Sequence, residues 1–187
     1  MTPEPQVVTP ESAFEEAIVD AVRDLVREAR CGCVVVPKFG LDVALFIGTE
    51  RGAFARFLEV KVYAAGRLAG VGFGTPGGAG PQVELLLNTD SDLRIVDDTI
   101  RWVLADATRP RGSARYALFD SRAARAAAMG EVRRGKQNNL RIGALAKGYM
   151  PWTDLLQELR RFLFAPVEPP TNDQRDAAQA KGAPRLT

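Results

Sequence analysis

The stretch that most constrains how this chain folds is a set of three β-rich runs placed directly after one amphipathic helix. Phe14, Ile18, Val22, Leu25, Val26 and Ala29 recur at helical spacing and form one apolar face. Thr9 reads as the N-cap and Pro10 as the first helical residue, so the helix is expected to run to about Arg30. Cys33–Pro37, Leu41–Ile47 and Arg56–Tyr63 then read as strands, with Gly48 to Ala55 as the hairpin connection between the last two. Strand side chains alternate, so Phe57, Glu59, Lys61 and Tyr63 share one face of the third strand, and Leu58, Val60 and Val62 share the other.

Downstream, residues 67–73 and 82–87 read as a second hairpin around the glycine-rich loop Gly74 to Pro81. That loop lacks the Gly-Lys-Ser/Thr and following helix of a phosphate-binding loop. Asp90 to Ala107 reads as a helix with Val96, Ile100, Val103 and Leu104 inward, and Ala114–Phe119 as a strand. A short helix over 121–129, a polar loop over Gly130–Asn139 and a helix over Thr153–Phe164 complete the pattern. Residues 1–8 are expected to be a flexible N-terminus, 9–165 a single domain, and 166–187, rich in Pro, Ala, Gln and charge, a disordered tail. The fold class is therefore α/β (α+β): a central mixed β-sheet flanked by helices, in the order helix, strand, strand, strand, helix, strand, with additions.

The 187 residues suffice for one domain with a sizeable core, and 46% hydrophobic with 26% charged residues is an ordinary globular balance. No apolar run approaches the ~20 residues that span a bilayer. The N-terminal residues show no basic region followed by an apolar stretch, so a cytoplasmic location is expected. The two cysteines, Cys31 and Cys33, are too few for a zinc site and read as small, buried, reduced thiols. The chain contains no histidine, which excludes Ser-His-Asp and Cys-His catalysis and every His-ligated metal site. Any chemistry must use carboxylates, lysine, hydroxyls or metal-activated water.

Asp42 opens the second strand, and Glu59 and Lys61 lie on the third. Antiparallel neighbours can bring two carboxylates close enough to share a cation. Asp42 and Glu59 would offer hard oxygen ligands suited to Mg²⁺, with Mn²⁺ as a substitute, and the Val60 carbonyl a third oxygen. Lys61, on Glu59's face, could orient an attacking water or stabilise a charged phosphate. The bland reading is that Asp42 caps a turn after Gly40, while Glu59 and Lys61 form the exposed face of an amphipathic strand. Phe57 and Tyr63 on that same face argue that it is not freely solvated.

Asp42…Glu59-Val60-Lys61 resembles the PD-(D/E)xK nuclease superfamily, and so does the element order from about Thr9 to Phe119. Leu41 stands where that family usually has proline. The resemblance implies a restriction-endonuclease-like core and a Mg²⁺-dependent DNA endonuclease, with catalytic Asp42, Glu59 and Lys61 and a metal held by Asp42, Glu59 and the Val60 carbonyl. Such nucleases often add an acidic residue from the first helix. At ~100° per residue Glu15 falls within the apolar face, and Glu16 on the polar side with Arg23 and Arg27, so Glu15 is the candidate. Ser12 and Glu15 also fit a capping box. Some members place a glutamine after E-x-K, for which Gln82 is the residue to examine.

Charge is divided along the chain. Residues 1–100 carry 9 Lys+Arg against 15 Asp+Glu, and residues 101–187 carry 16 against 8. The excess between Arg109 and Lys147 is a footprint for a polyanion. Within it Arg133, Arg134, Lys136, Gln137, Asn138, Asn139 and Arg141 join phosphate-seeking cations to amides that can read base edges, which makes them the candidate nucleic-acid-binding residues. Trp102 and Trp152 read as core anchors. One site per chain would need a homodimer to cut both DNA strands together. The alternatives are a catalytically inactive nucleic-acid-binding or assembly module of the same fold, and a structural or protein-interaction domain whose charge serves only solvation.

Overall fold

The structure is a computed structural model, and it describes residues 10–30, 32–37, 42–49, 52–63, 70–73, 99–108, 114–136 and 138–165. The expected flexible N-terminus, the Gly74–Pro81 loop, the 82–87 strand with Gln82, and the 166–187 tail lie outside the described residues, as does Gln137.

Helix α1 spans Pro10–Ala29, and its apolar stripe is buried through Phe14, Ile18, Val22 and Leu25. Strands β1 (Cys33–Pro37), β2 (Val43–Thr49) and β3 (Gly52–Tyr63) follow and pair antiparallel in sequence order. The β2–β3 connection is tighter than the expected Gly48 to Ala55 span, because Gly48–Thr49 and Gly52–Ala55 continue the ladder. The main sheet has the order β1-β2-β3-β5-β6, in which β5 (Ile100–Asp106) lies parallel to β3 and β6 (Arg115–Phe119) antiparallel to β5. Helix α2 (Ser121–Ala127) follows, then β7 (Asn138–Arg141), α3 (Ile142–Leu145), a 3₁₀ turn at Ala146–Gly148, and α4 (Trp152–Phe164). The chain is thus mixed α/β around a five-stranded mixed sheet.

Three expectations are corrected. Residues 100–106, read as the end of a helix from Asp90, form the interior strand β5. Ile100, Trp102, Val103, Leu104 and Ala105 are all buried there. A parallel strand covered on both faces is a near-continuous apolar run, and over so short a span periodicity does not separate it from a buried helix. Strand β4 (Gly70–Phe73) pairs antiparallel with β7, while its expected hairpin partner at 82–87 lies outside the described residues. The end of the expected 130–139 loop is therefore a strand from Asn138 onward. Finally, Cys33 opens β1 as expected but is half-buried and disulfide-bonded rather than a reduced thiol; the sequence has one other cysteine, Cys31.

Two apolar layers sandwich the main sheet. Phe14, Ile18 and Val22 of α1 and Leu155, Leu159 and Leu163 of α4 pack on the face carrying Leu45, Leu58, Val60, Val62 and Val103. Leu140 of β7, with Ala124 of α2 and Ile142 and Leu145 of α3, packs on the opposite face against Trp102, Leu104 and Phe119. Trp102 is fully buried, stacks on Phe119 and donates its indole N–H to the Ser121 hydroxyl at 3.4 Å. Trp152 packs against Tyr116. Both tryptophans serve as core anchors.

Arg56 was not singled out by motif, yet it is buried on the α1/α4 side of β3. Its guanidinium donates to the Phe162 carbonyl at 3.2 Å and the Ala165 carbonyl at 3.4 Å, and it lies over the Phe54 and Phe162 rings. A cation against the last carbonyls of α4 complements the helix dipole and fixes that helix to β3. The alternation that sets Arg56 on the face of Leu58 was already a sign of burial.

Candidate active site

The ladder between β2 and β3 ends at Val43 opposite Leu58. Asp42 sits one residue before β2, where a further ladder bond would form. Its carboxylate takes over that bond: Oδ2 accepts the Val60 N–H at 2.5 Å. A strand residue turns its N–H and C=O to the same edge, so the Val60 carbonyl faces the Asp42 side beyond the end of β2.

Glu59 is opposite Trp102 and Lys61 opposite Leu104 in the parallel β3–β5 register. Both therefore point to the α2/β7 side of the sheet, as do Phe57 and Tyr63, which pack against that cluster. The Lys61 ammonium donates to Glu59 Oε1. The Glu59 carboxylate also accepts a hydrogen bond from the Asp42 backbone. Asp42 and Glu59 are thereby tied in both directions: Asp42's side chain to β3's backbone, and Glu59's side chain to Asp42's backbone.

Glu59 is only 1% exposed. Burial raises its pKa from the ordinary 4.5 to about 7, and the negative charge of Asp42 adds to the rise, while Lys61 and the hydrogen bonds oppose it. In the absence of any cation, the carboxyl thus carries a proton about half the time near neutrality. A buried carboxyl poised in this way beside a second carboxylate is the arrangement a divalent ion would stabilise. Two carboxylates and a backbone carbonyl fit Mg²⁺, which binds through one or two carboxylates and keeps several waters. Among the described residues no group of three or more Asp, Glu, His or Cys side chains gathers to hold a metal.

Glu15 is half-buried and Glu16 exposed, the facing expected from the helical wheel. Helix α1, however, packs on the Leu58–Val60–Val62 face, across the sheet from Glu59 and Lys61. The structure brings Asp42, Glu59, Val60 and Lys61 together and does not gather Glu15 with them.

The basic segment lies on the Glu59 side of the sheet, because β7 packs there through Leu140. Arg133, Arg134, Lys136 and Arg141 are exposed, and Asn139 is half-buried. Arg133 pairs with Glu131. The turn at Gly135 requires a positive φ of 74°, which glycine adopts without strain. Asn138 faces inward and is 7% exposed. Its Oδ1 accepts the Arg133 N–H at 3.0 Å, and its Nδ2 donates to the carbonyls of Arg133 at 2.9 Å and Lys136 at 3.1 Å. Asn138 therefore shapes the loop, and the cations display outward from it.

Comparison with known proteins gave no matching family model, no matching curated protein and no matching solved structure. No helix among the described residues is long and apolar enough to cross a membrane.

Proposed function

We propose that the chain is a Mg²⁺-dependent endonuclease that hydrolyses phosphodiester bonds in DNA through a PD-(D/E)xK-type site. The observation that carries this reading is the mutual tie between Asp42 and Glu59, with Lys61 on the Glu59 carboxyl. The order helix α1, then β1-β2-β3 as a meander, then β5 parallel to β3, supports a restriction-endonuclease-like core.

Asp42 and Glu59, with the Val60 carbonyl, would hold the ion. A bound Mg²⁺ supplies Lewis acidity toward water and phosphate. Lys61, released in part from Glu59 when that carboxylate turns to a cation, would orient the water and stabilise charge developing on the phosphate. The exposed cations of the 133–141 segment would hold the backbone of the nucleic acid on the same side of the sheet. Glu15, across the sheet, has the weaker claim to a catalytic role.

A second reading has its own observation. Glu59 is almost fully enclosed and Lys61 is occupied by it, as expected if the pair now serves packing alone in a non-catalytic nucleic-acid-binding module. Supercoiled plasmid incubated with and without Mg²⁺ or Mn²⁺ separates the two. Metal-dependent nicking or linearisation supports the endonuclease; salt-sensitive binding without strand scission supports the module.

A further inference from the structure

Cys33 is disulfide-bonded, no free cysteine is found among the described residues, and the sequence supplies one intramolecular partner, Cys31. The bond therefore spans Gly32 alone. A disulfide stabilises by the loop entropy it removes from the unfolded chain, which is least for so short a loop. The start of β1 has other anchors. Gly48 donates its N–H to the Gly32 carbonyl at 3.0 Å, and the β1–β2 ladder begins with Cys33 opposite Ile47. Cys33 also packs against the apolar layer formed with α1 and α4. These contacts fix the strand whether or not the sulfurs are joined. A chain of 187 residues with an apolar layer on each face of its sheet is not the small, core-poor type of domain that relies on disulfides. The bond is also within reach of solvent. Gly32 is exposed, and apart from its chain neighbours no atom lies within 4 Å of the place where a side chain on it would begin. Cys33 is half-buried rather than enclosed. Exposed disulfides are the labile ones, and labile disulfides are regulatory or catalytic.

We propose that Cys31 and Cys33 are a reversible dithiol–disulfide couple that exchanges with low-molecular-weight thiols of the glutathione class, and not a structural crosslink. The thiolate of one small molecule attacks a sulfur of the pair, forms a mixed disulfide and releases the other cysteine, which takes up a proton. A second small thiolate attacks the small molecule's own sulfur in that mixed disulfide. The remaining cysteine leaves and is protonated, and the small thiols depart joined to each other. Two small thiols are thus oxidised to one disulfide while the protein disulfide is reduced to two thiols, and the reverse sequence restores it. In the reverse direction the second cysteine, two residues from the first, resolves the mixed disulfide and closes the bond. The couple is independent of the proposed nuclease centre, because Cys33 pairs with Ile47 and Asp42 precedes the opposite end of β2.

The test uses the full chain in native buffer, with intact mass after N-ethylmaleimide labelling as the count of free thiols. After equilibration with oxidised glutathione the protein should take no label. Excess reduced glutathione should raise this to two labels, and return to oxidised glutathione should abolish both. The oxidised and reduced forms should both stay folded by circular dichroism, with melting temperatures within about 4 °C of each other. Cys31→Ser lacks the resolving cysteine, so with oxidised glutathione it should stop at a mixed disulfide carrying one glutathione on Cys33. A bond that survives excess reduced glutathione until urea unfolds the chain would overturn the couple, as would unfolding on reduction. Two labels after oxidised glutathione, or a disulfide-linked dimer on a non-reducing gel, would overturn the pairing itself. A folded Cys31→Ser protein that takes no glutathione would show Cys33 closed to thiols and overturn the exchange.

Discussion

The Asp42 backbone donates to the Glu59 carboxylate, while the Asp42 carboxylate holds the N–H of Val60, the residue after Glu59, at 2.5 Å. Two acidic side chains, one just before β2 and one on β3, are thus fixed by backbone groups at the point where the β2–β3 ladder stops. The bond from Asp42 to Val60 gives this aspartate a structural role beside the metal-binding role proposed for it, and the two can be separated by substitution.

Asp42→Ala removes the acceptor from the Val60 N–H and should destabilise the fold by about 1–3 kcal/mol. Asp42→Asn keeps an oxygen for that N–H and should cost less, yet it loses the charge needed for a cation. Urea unfolding of both variants, beside a Mn²⁺ titration, checks this. Equal stability of wild type and Asp42→Ala would remove the structural role.

Glu59 gives stability a definite pH dependence. Its folded-state pKa, about 7, lies above the ordinary 4.5, so the folded chain binds more protons than the unfolded chain between these values. Its contribution is favourable below pH 4.5 and is lost as pH rises to about 7, a decline of order 3 kcal/mol. Glu59→Gln cannot titrate and should flatten the curve across this window. Parallel pH dependences of the denaturation midpoint in the two proteins would show that Glu59 is not the group responsible.

A cation on Asp42 and Glu59 needs Glu59 ionised. Apparent affinity for Mg²⁺ or Mn²⁺ should therefore rise with pH up to about 7 and then level, falling about fivefold from pH 7 to pH 6. Calorimetry in buffers of different ionisation enthalpy should detect the released proton near pH 6. Metal binding whose affinity and proton count ignore pH over this range would place the ion elsewhere.

The 133–141 segment should divide by role. Asn138→Ala removes three hydrogen bonds that shape the loop and should lower stability by about 1–3 kcal/mol. Arg134→Ala or Lys136→Ala should leave stability within about 0.5 kcal/mol. Each of these two should reduce the slope of log affinity for DNA against log salt by about 1. A wild-type salt slope in the Arg134→Ala/Lys136→Ala double variant would take this segment out of the nucleic-acid interface.

Local signals account for what the sequence reveals. The amphipathic α1 and the alternating β3 carry their periodicity within a few residues, and with them come Asp42, Glu59 and Lys61 in their places. The interior strand β5 has no polar face to show the two-residue period, so Ile100–Asp106 resembles a buried helix. The β4–β7 pairing joins residues 70–73 to 138–141, and no local pattern carries that distance. Asn138 has the composition of a surface contact but is turned inward by three backbone partners that composition does not display. Helical periodicity gives Glu15's place on its own helix; the sheet face on which that helix packs depends on tertiary structure.

The most direct measurement is Mg²⁺-dependent relaxation of supercoiled plasmid by wild type and by Glu59→Ala, with both shown to be folded by circular dichroism and thermal melting. If Asp42, Glu59 and Lys61 form a nuclease centre, wild type nicks or linearises the plasmid only with the metal, and Glu59→Ala is slower by about a hundredfold or more. Cleavage by folded Glu59→Ala at the wild-type rate would contradict it.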